Sequence, residues 1–194
     1  MNDFNFKGEW ELNIEMNQLT HLKFFNSVHW ETQKLKLKNG LVNLVIIKED
    51  QNKLTPTTEQ ISCINWITGN QDKILNLLYS ALKENIFPYY VNLWRDDPDN
   101  ENVYPTLNSI PDLEKALGIY LIEILFECKD EISYYRLYFN FCTDQEHRLI
   151  ITLHRDRLID FCGIGDMDNR KIIEDLGLDY SEWLDEMRKK NKTL

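Results

Sequence analysis

No C-x-x-C pair occurs among the four cysteines, Cys63, Cys128, Cys142 and Cys162. Scatter of this kind argues against a structural zinc site and fits small apolar fillers in a reducing compartment. Long hydrophobic runs are also missing. LVNLVII and LIEILF fall far short of the roughly 18 apolar residues a spanning helix needs, so no membrane association is expected. The opening MNDFNFKGEWELN has no apolar stretch behind a basic one, which predicts no secretory signal and a cytoplasmic location. Positive charge is scarce: 22 Lys and Arg stand against 32 Asp and Glu, giving a net charge of -10. That balance argues against a phosphate-binding face, hence against nucleic acid, and favours basic partners. Finally, there is no G-x-S-x-G, H-E-x-x-H or Walker pattern, which weakens the case for an enzyme.

What is present describes a globular chain. Its 194 residues are 43% hydrophobic, 12% aromatic and 28% charged, enough for one domain with a real core. EWELNIEM alternates apolar and polar as a half-buried strand does. QKLKLKNGLVNLVIIK reads as a hairpin about Asn39-Gly40, which sets Leu37 opposite Val42 and Leu35 opposite Leu44. Thr57 and Gln60 have capping-box spacing and start a helix that stops near Thr68-Gly69-Asn70. A second helix carries Ile74, Leu75, Leu77, Leu78, Ala81 and Leu82 on one apolar face until Pro88 ends or kinks it. The run YYVNLW fits either a third helical segment or a cover for the sheet edge.

Residues 95–111 combine acids with three prolines and form an exposed connection. Beyond it come a short helix at DLEKAL and three strand-like stretches, the last a hairpin turning at Arg155-Asp156. DNRKIIEDLG and DYSEWLDEMRKKNKTL end the chain as helices. The expectation is a single α+β domain with mainly antiparallel sheet, helices packed on one face and a C-terminal helix. Strands occupy 8–50 and 118–163, helices 55–94 and 168–191, and the acidic loop 95–111.

Candidate chemistry concentrates in FNFCTDQEHRLIITLHRD, where Cys142, Glu146, His147 and His154 fall close together. A metal site would need three or four of these donors on one ion. If 147–154 were one regular strand, alternation would send His147 and His154 to opposite faces. A Cys142–His147 nucleophilic pair, oriented by Asp144 or Glu146, fits the spacing but has no flanking signature. A structural corner, with Asp144 or Glu146 accepting loop amides, is the plainer alternative. Asp97, Asp99 and Glu101 alternate like the opening of a calcium loop. Asn102, however, replaces the required glycine and Asn108 the bidentate glutamate. Gly163-Ile-Gly165 followed by Asp166 and Asp168 is a poor phosphate cradle. No metal and no cofactor is expected.

The run FNFCTDQEHRLIITLHRDRLIDF resembles an uncharacterised bacterial family of unknown function with the motif F-x-C-x-W-D-x-E-H-G-L-G. Similarity extends through SIPDLEKALGIYLIEI and TTEQISCINWITGNQDKILNLLYSAL, about residues 8–165. The matching positions are Phe139 or Phe141, Cys142, Glu146, His147, Leu149 and Arg157. Asp144-Gln145 replaces the Trp-Asp pair, and Arg148 and Ile150 replace the two glycines. The resemblance implies a compact bacterial α+β protein, similar to small immunity proteins encoded beside toxins.

Two functional readings follow. One is a non-enzymatic interaction module, an immunity protein against a basic toxin, presenting Tyr89, Tyr90, Trp94, Asp96, Asp97, Asp99, Glu101 and Tyr104. It would act as a monomer or homodimer. The other is a hydrolase or metal-dependent enzyme using Cys142, Glu146 and His147.

Overall fold

The computed structural model describes residues 9–19, 22, 41–48, 55–96 and 104–191, the side chains of 9–13, 190 and 191 excepted. Six strands form one sheet in chain order: β1 (Glu9–Glu15), β2 (Leu41–Ile47), β3 (Leu117–Lys129), β4 (Ile132–Phe141), β5 (Leu149–His154) and β6 (Arg157–Cys162). Every pairing is antiparallel except β2 with β3. A parallel pair demands a long crossover, and three helices supply it: α1 (Thr58–Gly69), α2 (Gln71–Ala81) and α3 (Phe87–Leu93). Two more, α4 (Arg170–Asp175) and α5 (Tyr180–Asn191), close the chain. The α+β expectation holds.

Strand β2 corrects one detail of the expected hairpin. Leu44 lies between Leu12 of β1 and Ile122 of β3. Both its flanks are therefore taken, and it is not the partner of Leu35; residues 35–40, with the Asn39-Gly40 turn, lie outside the described residues. The sequence pattern reported which face β2 buries, Val42, Leu44 and Ile46, but pattern does not name the neighbouring strand.

Helix α1 begins as its capping box predicts. The Thr57 hydroxyl accepts from the Gln60 amide at 3.2 Å, and Gln60 Oε1 accepts from the Thr57 amide at 3.0 Å. The same Gln60 donates through Nε2 to the Ile47 carbonyl at 2.7 Å and the Leu125 carbonyl at 3.2 Å, so one buried side chain both caps the helix and seats it on β2 and β3. At Pro88, the missing N–H and the ring's clash with the preceding turn break the α register. Five residues, Leu82–Ile86, widen into a π turn, and the helix resumes as α3 with the proline in its first turn. The run YYVNLW is thus helical.

Helices α1–α3 cover one face of the sheet, where Tyr135, Leu137, Phe139, Phe141, Ile122 and Ile124 are buried with Cys63, Ile67, Ile74 and Leu78. Helix α4 covers the other face, placing Ile172 against Leu125 and Tyr134. β4 is therefore buried along nearly its whole length. Of the cysteines expected as fillers, Cys63 and Cys142 are buried and Cys162 is half-buried, but Cys128 is exposed. It stands where β3 loses register with β4. The β3–β4 turn places Asp130 and Glu131 at φ +49° and +62°, the two left-handed positions a tight hairpin needs.

A buried polar layer lies on the α4 side. Arg136 NH1 donates to Glu123 Oε2 at 3.1 Å, and its NH2 donates to the Asp168 carbonyl at 3.2 Å and to Asn169. Glu127 Oε1 accepts from Asn169 at 2.8 Å, while its Oε2 is buried without a hydrogen bond. Burial raises the Glu127 carboxyl above its usual range. A raised folded pKa means that the folded state binds the proton first, so stability falls as pH rises from the unfolded value near about 4.3. Glu127→Gln lacks that loss. Its stability relative to the parent should therefore increase between pH ~4 and pH ~7, as read from urea unfolding at both; a constant or decreasing difference would refute the assignment.

Candidate functional site

After β4 the chain turns sharply at 142–148. Asp144 organises the turn: its carbonyl accepts from the Arg148 amide at 3.0 Å, and its Oδ1 accepts from the His147 amide at 3.0 Å. The same carboxylate meets His147 Nδ1 at 3.0 and 3.2 Å. A carboxylate only accepts, so Nδ1 carries the proton and Nε2 is left for a partner from outside. His147 keeps 57% of its side chain exposed, Asp144 only 11%. Arg148 closes the turn at φ +61°, a left-handed conformation that favours glycine. Here Arg148 lies over the Tyr120 ring at 5.0 Å.

Two further segments meet this corner. The Ile164 amide donates to the His147 carbonyl at 2.9 Å, and a Cβ on Gly163 would come within 3.1 Å of His147 Cβ, so the chain after β6 runs hard against the turn. From the other side α3 contributes Tyr89, edge-on to Phe161 at 5.4 Å and to Tyr90 at 5.4 Å. Between the three segments lies a cleft of about 320 Å3, lined by Tyr89, Tyr90, Leu93, Trp94, Asp144, His147, Phe161, Cys162, Gly163 and Asp166. No lysine or arginine lines it. The Tyr90 hydroxyl is pushed upward in pKa first by burial and then by the Asp144 charge, with Asp166 adding to it. Burial raises the Cys162 thiol to about 11, helped by Asp160.

The sequence candidates are redistributed by this geometry. Tyr89, Tyr90 and Trp94, read as interaction residues, share the cleft with His147, read as catalytic. Tyr89 is 51% exposed, but Tyr90 is buried, because its ring packs edge-on to Phe141 at 5.3 Å. Tyr104 is not an exposed anchor either: it is half-buried against Phe87 at 5.8 Å with its hydroxyl enclosed. Asp96 is exposed beyond α3; Asp97, Asp99 and Glu101 lie outside the described residues. Cys142 is buried with Sγ 3.6 Å from the Thr143 hydroxyl, and burial raises its thiol to about 11. At neutral pH it is a thiol rather than a nucleophilic thiolate. Glu146 is exposed and does not line the cleft.

His154 is at the far end of β5 from His147. Its Nε2 donates to the Lys129 carbonyl at 2.9 Å, and its ring sits 4.7 Å from that of Tyr134. The strand begins at Leu149, so His147 belongs to the turn, the alternation of a regular 147–154 strand does not apply, and the length of the strand separates the two histidines. Among the described residues no three His, Cys, Asp or Glu side chains converge on a common ion position. Phe161 and Leu93 were absent from the sequence candidates, and Asp166 entered them only as part of a poor phosphate cradle. For the turn itself the sequence signalled a capping carboxylate, Asp144 or Glu146, and the structure selects Asp144.

Among the described residues, the fold and cleft define an α+β protein with one six-stranded sheet, helices on both faces and an aromatic, acid-lined recess at the sheet end. The chain belongs to the family described as Domain of unknown function (DUF6985), which matches residues 18–169. No match was found among curated proteins or among solved structures. No helix among the described residues is long and apolar enough to cross a membrane.

Proposed function

We propose that this chain is a non-enzymatic protein-interaction module whose contact face is the cleft and the exposed side of α3, and that its partner is basic, as a toxin held by an immunity protein would be. The observation that carries this is the exposure of Tyr89 (51%) and Leu93 (54%) beside Asp144 and Asp166 on a chain of net charge -10. An exposed apolar patch rimmed by one sign of charge marks a recognition surface. Aromatic anchors supply affinity there, while charge supplies steering and partner choice. A hydrolytic reading keeps only the Asp144–His147 pair, since the Cys142 thiol is buried and protonated.

Binding should be measured by calorimetry against purified basic proteins, including the product of the adjacent gene, with Tyr89→Ala/Leu93→Ala as the variant. Both side chains are exposed, so the fold should persist by circular dichroism. Affinity should drop by about tenfold or more, since hot-spot truncations cost upward of 1–2 kcal/mol. A chain that binds no basic protein, or a variant that binds equally well, refutes the reading.

A further inference from the structure

The cleft's lining is selective about charge. Four aromatic rings, Tyr89, Tyr90, Trp94 and Phe161, stand with two carboxylates and the His147 imidazole, and with no lysine or arginine. An anionic ligand would meet Asp144 and Asp166 with only the His147 imidazole, itself held by Asp144, to offset them. A cation would meet both carboxylates and the negative faces of the rings. Asp144 is partly committed to His147, but a carboxylate has about four acceptor directions, and the contacts with His147 fall mainly on Oδ1. Asp166 is exposed and makes no side-chain ion pair among the described residues. Its charge is available.

The size and shape narrow the cation further. At about 320 Å3, the recess is at the small end of ligand pockets, which run roughly 300–1,000 Å3. It admits a side chain rather than a folded segment. Guanidinium is flat and weakly hydrated, lies against aromatic faces, and directs its N–H edge to carboxylates two at a time. Ammonium is a compact, strongly hydrated point charge that loses more on leaving water. Cation–ring contacts of both kinds occur elsewhere in the chain, Arg148 over Tyr120 at 5.0 Å, Arg170 over Tyr180 at 5.1 Å and Lys83 over Tyr79 at 4.9 Å, so the preference for guanidinium rests on its planar fork and weak hydration.

We infer that the cleft between α3, the 144–148 turn and the 161–166 segment is a receptor for an arginine side chain of the partner protein, with the guanidinium against Tyr89 and Trp94 and its N–H edge on Asp144 and Asp166. This deepens the basic-partner reading and rests on it for the source of the arginine. His147, with Nδ1 held by Asp144, adds Nε2 as an acceptor when neutral.

The test uses the full chain and a defined probe, N-acetyl-arginine methylamide, with the citrulline analogue as its uncharged isostere, followed by amide chemical shifts. Saturable shifts at 89–94, 144–148 and 161–166 are expected for arginine and not for citrulline. Asp166→Asn should weaken the arginine probe about tenfold, the loss of one charge-assisted contact. No saturable shift, an equal response to citrulline, or an unchanged affinity in Asp166→Asn overturns the site. The two readings fail separately. If a basic partner loses affinity in Tyr89→Ala/Leu93→Ala while the probe does not bind, the arginine receptor falls and the interaction face stands. If the probe binds as expected and no basic protein does, the partner reading falls and the receptor stands.

Discussion

Arg136→Ala is expected to lower the unfolding free energy by about 3–5 kcal/mol, the range for breaking a buried ion pair from one side. Arg136 is only 5% exposed and is the cation between Glu123, at 3.1 Å, and the Asp168–Asn169 backbone and side chain. Its removal leaves the Glu123 carboxylate in the layer under α4 with the Tyr138 hydroxyl, at 3.0 Å, as a hydrogen-bond donor. Glu127, already raised by burial and lowered by the Arg136 charge, loses that compensation too. Removing the second charge as well should help. Arg136→Ala/Glu127→Gln should therefore be more stable than Arg136→Ala, with non-additivity of about 1 kcal/mol or more for groups sharing one network. Urea unfolding of the parent, both single variants and the double closes the cycle. A cost within about 0.5 kcal/mol, as for a surface residue, would remove Arg136 from its place as the keystone of this layer. Because Arg136 also tethers residues 168 and 169, its loss should loosen the preceding segment that carries Asp166 to the cleft.

Phe141→Ala should cost about 3–5 kcal/mol, from lost transfer free energy and the cavity left behind. Phe141 is fully buried at the end of β4, stacked on Phe87 at 6.1 Å with 14° between planes and met edge-on by Tyr90 at 5.3 Å. These contacts connect α3 to the sheet just before the turn that carries Asp144 and His147. The variant should therefore raise amide exchange in α3 before global unfolding and weaken the cleft. Phe141→Leu keeps most of the volume and should lose less. A cost for Phe141→Ala below about 1 kcal/mol, far under the core range, would show that α3 is not seated through this residue.

Local signals were legible where the chain writes them locally. Thr57 and Gln60 announced the start of α1, since a cap needs only residues three apart. The alternation in EWELNIEM and the apolar face from Ile74 to Leu82 are likewise one-dimensional patterns. Pro88 was legible as a disruption but not as a π turn, because whether a helix resumes depends on what its far side packs against. Tyr90 and Tyr104 looked like surface aromatics, as a ring beside acidic residues reads the same whether it faces solvent or Phe141 and Phe87. The partner of Leu44 was misread for a related reason: a local turn signal competes with strands far away in sequence.

The sequence by itself determined an acidic α+β chain, the starts and apolar faces of its main helices, and a turn near His147 in which Asp144 or Glu146 could accept loop amides; the structure chose Asp144. Tertiary structure alone decided that α3 and the segment after β6 come to that turn. A buried face specifies that something must cover it, whereas the identity of the cover follows from strand order and crossover. The cleft uniting Tyr89, His147, Phe161 and Asp166 exists only at that level.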